Sequence, residues 1–181
     1  NNLVFAQARE ISFKDNKLTN YIIGNPKQVR VDNFNYVFIR QDPPYNMEYI
    51  SSMHLLEQVK GPTKFINHPN GIRNAPEKIS MLSYKEIIPP TVITREKKEI
   101  NDFIKQNGKC VIKPLYGNGG ESIFLLDKQD ENYNQIIERF IDQLKEPFII
   151  QKFLPEIKHG DKRIILVNGE PIAALRRIPK N

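Results

Sequence analysis

The stretch Cys110-Val111-Ile112-Lys113-Pro114-Leu115-Tyr116-Gly117-Asn118-Gly119-Gly120 is an apolar run broken by one cation and closed by clustered glycines. Residues 110–115 read as a strand. A lysine inside such a strand is costly unless its ammonium is paired or meets an anion. The loop that follows has two readings. Gly117, Gly119 and Gly120 serve either a plain hairpin turn or a cradle of backbone N–H groups for a phosphate, since glycine alone takes the needed backbone angles at low cost. No Gly-Lys-Ser/Thr follows, and residues 122–126 read as a second strand rather than a helix, so this is not a Walker-type P-loop.

Downstream, residues 132–144 form an amphipathic helix with Ile136, Ile137, Phe140, Ile141 and Leu144 on one face, and 148–151 form a buried strand. Asn168-Gly169 turns a hairpin between 163–167 and 171–177. Upstream, a helix near 96–107 buries Ile100, Phe103 and Ile104 and stops at Gly108. A strand at 91–94 precedes it, after the firm stop Pro89-Pro90. Pro76 opens a helix to about residue 87. His68-Pro69-Asn70-Gly71 reads as a turn, and 65–67 as a short strand. Asn46 caps a helix with Met47, Ile50, Met53 and Leu56 on one face. Residues 36–39 form a buried strand ending at Arg40-Gln41-Asp42-Pro43-Pro44, and 11–13 and 18–23 a hairpin around Lys14-Asp15-Asn16-Lys17. Strands and helices mix, so the fold class is α/β (α+β), with a boundary near 71–76.

The 181 residues are enough for one sizeable domain or two small ones. Ile, Leu, Val and Phe make up about 30% of the chain, well above the share in disordered chains. No apolar run reaches the roughly 18 residues of a membrane span, and the first residues lack the basic-then-apolar pattern of a secretory signal. Cys110 is the only cysteine, which excludes a disulfide framework and a cysteine-based zinc site, and it reads as a small buried hydrophobe in a reducing compartment. His54, His68 and His159 have no ligand spacing. The net charge of +6 suits a polyanion, but the cations are dispersed and no basic stripe marks a nucleic-acid surface.

Three further segments carry candidate chemistry. Gln151-Lys152-Phe153-Leu154-Pro155 runs from a strand into a proline-limited segment. It is either an ordinary strand end or an edge whose backbone and apolar wall receive an adenine. In Gly160-Asp161-Lys162-Arg163-Ile164, Asp161 and Arg163 share a strand face. They form a surface ion pair, or Arg163 clamps a carboxylate or phosphate with Arg177 nearby. The cluster from Arg40 to Tyr45 is a solvated loop, or the ligand end of an open α/β sheet.

These segments, taken in order, resemble bacterial glutathione synthetases of the ATP-grasp ligase superfamily. The resemblance rests on Val37-Phe38-Ile39-Arg40-Gln41-Asp42-Pro43-Pro44-Tyr45, Gly71-Ile72-Arg73-Asn74-Ala75-Pro76-Glu77-Lys78, Pro90-Thr91-Val92-Ile93-Thr94-Arg95 and Ile112-Lys113-Pro114-Leu115-Tyr116-Gly117. It rests also on Gln151-Lys152-Phe153-Leu154-Pro155-Glu156-Ile157-Lys158-His159-Gly160-Asp161-Lys162-Arg163 and on the end of the chain through Arg177. It covers nearly everything from about Val31 onward. The resemblance implies an incomplete pre-ATP-grasp, Rossmann-like domain at 1–75, followed by the first part of an ATP-grasp domain at 76–181.

It further implies an ATP-dependent ligase that joins γ-glutamylcysteine and glycine through an acyl phosphate. By position, Lys78 and Lys113 match the family's phosphate lysines, and Gly117, Gly119 and Gly120 its phosphate loop. Gln151, Lys152, Phe153 and Leu154 match the adenine hinge, with backbone groups of Lys152 and Leu154 as the contacts. Asp161 matches an ATP-site position. Arg163 and Arg177 match catalytic positions near the peptide and the transferred phosphate, with Arg176 as the alternative to Arg177, and Arg40 lies on the peptide side. Tyr116, Asn118 and Glu121 stand where the family has Asp, Met and Ala. Both ends of the chain read as cut, so the Mg²⁺ ligands are expected outside it, the 181 residues alone are expected to be inactive, and the parent is expected to be a cytoplasmic homo-oligomer without nucleic-acid or membrane partners. The alternatives are another ATP-grasp carboxylate–amine ligase and a non-catalytic basic nucleotide- or nucleic-acid-binding module.

Overall fold

A computed structural model describes residues 3–15, 18–117, 120 and 122–178. The chain divides into two compact units, residues 1–80 with 116–119, and 81–115 with 120–181. Mixed strands and helices give the α/β class expected from the sequence.

In the first unit, β1 (Phe5–Ala8), β2 (Ile11–Phe13), β3 (Tyr21–Ile23) and β4 (Lys27–Arg30) form two antiparallel pairs, β1 with β4 and β2 with β3. The inner pair is the expected hairpin; Asn16 and Lys17 of its turn lie outside the described residues. Next come β5 (Tyr36–Phe38), α1 (Met47–Leu56) and β6 (Lys64–Ile66), with β5 and β6 parallel, a βαβ arrangement. Asn46 caps α1 as read, its side chain accepting from the Tyr49 N–H at 3.0 Å.

The structure corrects several expectations here. The 36–39 strand is not buried: Tyr36 is 56% and Phe38 66% exposed, and Val37 and Ile39 are only half-buried. On α1 the apolar stripe is shorter than read. Met53 is fully buried and Ile50 and Leu56 are half-buried, while Met47 at the first position projects into solvent. The turn at 68–71 instead starts a helix, α2 (Pro69–Asn74), because Pro69 fits its first turn and the His68 Nδ1 accepts the Asn70 N–H at 3.3 Å. The helix from Pro76 to about residue 87 stops early. It is a single turn, α3 (Glu77–Ser80), continued as a 3₁₀ segment over Met81–Tyr84.

The second unit holds β7 (Thr91–Thr94), α4 (Lys97–Asn107), β8 (Cys110–Pro114), β9 (Phe124–Leu126), α5 (Tyr133–Gln143) and β10 (Phe148–Lys152). The strands form one antiparallel sheet in the order β7-β10-β8-β9. Strand alternation sorts its residues. Phe148, Ile150, Ile112, Cys110 and Leu126 face one way and join Ile100 and Ile104 of α4 and Tyr133, Ile137 and Phe140 of α5 in one core. Ile149, Lys113 and Gln151 occupy the alternate positions, so the lysine lies on the face away from that core. Finally β11 (Asp161–Val167) and β12 (Glu170–Arg177) form a long hairpin, turned at Asn168 and Gly169 with φ of 52° and 85°, as a two-residue turn of this type requires. At the base of the hairpin, Gly160 has φ +86°, and a Cβ there would run into the Arg177 carbonyl oxygen.

Two outcomes test this packing. Ile150→Ala, at a site with no solvent exposure, is expected to cost about 3–4 kcal/mol in urea unfolding. A loss below about 1 kcal/mol would mean that β10 is not the core strand. Burial also pushes the Cys110 thiol up from 9.0 to about 11, with the nearby Lys152 charge opposing more weakly. The folded chain therefore keeps a proton that the unfolded chain sheds, and stability falls as pH rises from about 9 to about 11. That loss is expected in urea midpoints of the native sequence between about pH 9 and pH 11 and absent from Cys110→Ala. An equal slope in both would refute it.

Candidate functional site

The second unit builds its polar face from the strand ends. Lys113 is half-buried on β8, and its ammonium donates to the Gln151 Oε1 at 2.9 Å. Gln151 lies two residues along β10 from Ile149, the residue opposite Lys113, within the diagonal reach of long side chains. Gln151 Nε2 in turn donates to the Thr91 Oγ1 at 2.7 Å, and the Thr91 hydroxyl donates to the Pro89 carbonyl at 2.7 Å. The chain's cost of placing a cation in a strand is thus met by a hydrogen-bonded line across three strands.

At the end of β10 the backbone departs from a regular ladder. The Lys152 N–H donates to the Pro90 carbonyl at 2.9 Å. An antiparallel pair of this kind normally returns a bond, but Pro90 has no N–H, so the Lys152 carbonyl receives no donor from that side. The Phe153 N–H donates to the Lys109 carbonyl at 2.9 Å, and the Leu154 carbonyl accepts the Ile157 N–H at 3.2 Å. Phe153 is half-buried and Leu154 46% exposed, giving the segment an apolar surface.

On the hairpin, Asp161 pairs across the strands with Arg177, whose Nε donates to Oδ2 at 3.0 Å. This hydrogen-bonded guanidinium, with a smaller contribution from the charge of Arg163, holds the Asp161 carboxyl below its ordinary range. Arg163 sits opposite Leu175 on the same face and is exposed. Arg176 points to the other face, where its Nε and Nη2 hold the His159 carbonyl at 3.1 and 2.7 Å. The sequence reading saw Asp161 and Arg163 on one face; it did not foresee that the ion pair is formed with the partner strand's Arg177.

In the first unit, the Lys78 ammonium donates to the Gly117 carbonyl. Beside it Tyr116 stacks on Tyr45, with ring centroids 5.8 Å apart at 26°, and Tyr45 meets Tyr49 at 5.1 Å. The Tyr45 hydroxyl donates to the Arg73 carbonyl, and Arg73 pairs with Glu57 at 3.0 Å. Burial, then the neighbouring tyrosines, raise the Tyr45 hydroxyl above its ordinary range. Arg40 is exposed just past β5.

The structure therefore brings together Lys113 with Gln151, Asp161 with Arg177, and Lys78 with Gly117. It keeps Arg163 and Arg176 on opposite hairpin faces. Gly120 is described, with φ +81°, whereas Gly119, Asn118 and Glu121 lie outside the described residues. Sequence reasoning missed the hydrogen bonds of Thr91 and the stack of Tyr45 on Tyr116. The Pro89-Pro90 pair was read only as a stop, although its missing donor was a signal for the open carbonyl. His54, His68 and His159 are all exposed. Among the described residues, no three His, Cys, Asp or Glu side chains gather to hold a metal ion, and no helix is long and apolar enough to cross a membrane.

Comparison with known proteins gives these features a setting. Residues 77–181 match the family model of the prokaryotic glutathione synthetase ATP-grasp domain, and residues 1–73 that of the prokaryotic glutathione synthetase N-terminal domain. A glutathione synthetase of Rhodopseudomonas palustris is 43% identical over 98% of this chain and 57% of its own length. One from Synechocystis is 46% identical over 79% of this chain and 45% of its own. The chain thus spans a little over half the length of the first relatives it matches. Among solved structures, the RimK domain ATP-grasp protein of Sphaerobacter thermophilus has a TM-score of 0.60 at 19% identity, covering 80% of this chain and 55% of the other. D-alanyl-alanine synthetase A of Vibrio cholerae has 0.55 at 12% identity, covering 96% and 53%. At such identities these two likenesses speak to the fold, which is that of ATP-grasp proteins. With its ATP-grasp family model matched over more than half of its residues, the chain belongs to the prokaryotic glutathione synthetase family.

Proposed function

We propose that the chain carries the nucleotide-binding part of an ATP-dependent ligase that joins γ-glutamylcysteine to glycine to make glutathione. Residues 1–75 form its substrate-side domain and 76–181 belong to its ATP-grasp domain. The observation that carries the reading is the combination, at the strand ends of one sheet, of an oriented ammonium at Lys113 with a hinge carbonyl at Lys152 that its neighbouring strand cannot claim.

Adenine presents an amino donor beside a ring-nitrogen acceptor. The Lys152 carbonyl meets the first and the Leu154 N–H the second, with Phe153 and Leu154 as apolar wall. The Lys113 ammonium serves the phosphates, as do Lys78 and the backbone of Gly117, Gly119 and Gly120. Lys78 does so by exchanging its bond to the Gly117 carbonyl for phosphate oxygens.

Phosphoryl transfer depends on cations arranged around the charge that spreads over the moving group. The cysteinyl carboxylate oxygen of γ-glutamylcysteine attacks the γ-phosphorus, and the bond to the ADP oxygen breaks. The glycine amine then attacks the acyl carbon, phosphate leaves, the amine gives up a proton, and the amide is formed. Arg163 and Arg177 share one hairpin face and serve the peptide carboxylate and the transferred phosphoryl group, with Asp161 holding Arg177 in place. Arg176, occupied with the His159 carbonyl on the other face, is the weaker candidate. Arg40 serves the peptide. Among the described residues no three His, Cys, Asp or Glu side chains gather to hold Mg²⁺, and no residue here is assigned to the ion. The reading entails a cytoplasmic enzyme, consistent with a single, buried thiol.

The test has two levels. In calorimetry with Mg²⁺ and ATP, the 181-residue chain is expected to bind nucleotide, and Lys113→Met to weaken it about 10- to 100-fold, the loss of one charge-assisted contact. In a polypeptide of the relatives' length carrying these residues, tripeptide and ADP are expected from γ-glutamylcysteine, glycine and ATP. Product from D-alanine or a glutamate tail instead would move the assignment to a sister ligase. Undiminished binding in Lys113→Met would sink the reading of the site.

A further inference from the structure

We infer that Thr91 is a positioning residue for the Lys113 ammonium, acting through a one-way hydrogen-bond relay that begins at the Pro89 carbonyl. The inference rests on the ATP-site reading of Lys113 for its functional meaning, but the relay itself is a statement about four groups of one sheet. Each link has its direction fixed by chemistry. The Pro89 carbonyl can only accept, so it takes the single proton of the Thr91 hydroxyl at 2.7 Å. With that proton committed, the Thr91 oxygen can only accept from Gln151. The amide of Gln151 must therefore present its NH₂ to Thr91, at 2.7 Å, and its carbonyl to Lys113, at 2.9 Å. The lysine end demands the same orientation, because an ammonium has donors and no acceptor.

An amide can otherwise rotate by half a turn at little cost. Facing the other way, Gln151 would turn two N–H groups toward the ammonium and push it off its present line. Thr91 removes that freedom from a distance: it touches Gln151 directly and Lys113 only through it. The bridge spans β7, β10 and β8, and the Gln151–Thr91 contact joins residues that are direct partners in the ladder. Thr91 and Gln151 are both half-buried, which limits replacement of the relay by water. The role of Thr91 comes from the geometry alone.

Three variants of the full 181-residue chain test the relay. Thr91→Val keeps the shape and deletes the hydroxyl, Thr91→Ser keeps the hydroxyl and deletes the methyl, and Gln151→Met removes the middle link. The probes are Mg²⁺ with ATP in calorimetry and the Lys113 Nζ–H resonance, assigned by its disappearance in Lys113→Met. Thr91→Val is expected to weaken ATP binding about tenfold and to quicken hydrogen exchange at the Lys113 ammonium, with Thr91→Ser restoring both. Adding Thr91→Val to Gln151→Met is expected to change neither further. If Thr91→Ser is as impaired as Thr91→Val, the residue acts by packing and the relay is refuted. It is refuted equally if Thr91→Val leaves the Lys113 resonance and its exchange unchanged. If the native chain fails to bind ATP while the Lys113 exchange still follows the hydroxyl at position 91, the relay stands and the nucleotide reading falls.

Discussion

A half-buried ammonium in a β-sheet has to be given an acceptor, and much of the second unit is organised around that requirement. Lys113 is tolerated because strand alternation turns it away from the helix-packed core and toward Gln151. The same alternation sends Ile112 and Ile150 to the opposite face, where α4 and α5 close over them. Had the register of β8 against β10 slipped by one residue, the lysine would point into the core and the isoleucines away from it. The apolar core and the polar face are therefore one decision rather than two, and the register that fixes the first also aims the second.

The hinge shows the same economy. A strand normally spends its carbonyls on its neighbours, and a ligand must find groups that have not been spent. Here Pro90 accepts from Lys152 but cannot reply, which leaves an acceptor at the end of a rigid, well-packed strand. In the first unit, by contrast, the lysine proposed for the phosphates is already engaged: Lys78 holds the Gly117 carbonyl, beside the stack of Tyr116 on Tyr45. The two cations thus start from different conditions, one oriented by a side-chain amide and one held by the glycine segment's own backbone.

How far the residues revealed this depended on burial. The helices α4 and α5, the strand β10 and the final hairpin were readable because their apolar positions recur with a clear period and their stops, Gly108 and Asn168-Gly169, are chemically distinctive. The pairing of β1 with β4 was not, since its residues are mostly exposed and their apolar positions leave no alternating trace. The region from Pro76 onward misled for a related reason: a helical period continues into Met81–Tyr84, but the backbone tightens there into a 3₁₀ segment. At the site, a charge in an apolar strand flagged Lys113 and a glycine cluster flagged Gly117, whereas Lys78 came from the family resemblance alone. Thr91 and Tyr45 carried no such flag, because hydroxyl direction and ring stacking exist only once distant strands and loops are folded together.

Pro90 sets stability against function. Any other residue at that position would bring an N–H facing the Lys152 carbonyl and complete the ladder, and so would tend to strengthen the sheet. The same added bond would use up the acceptor that the proposed function assigns to the nucleotide. A search for more heat-resistant forms would be drawn to this proline, and on this view its reward there would be a sturdier protein with a silenced hinge.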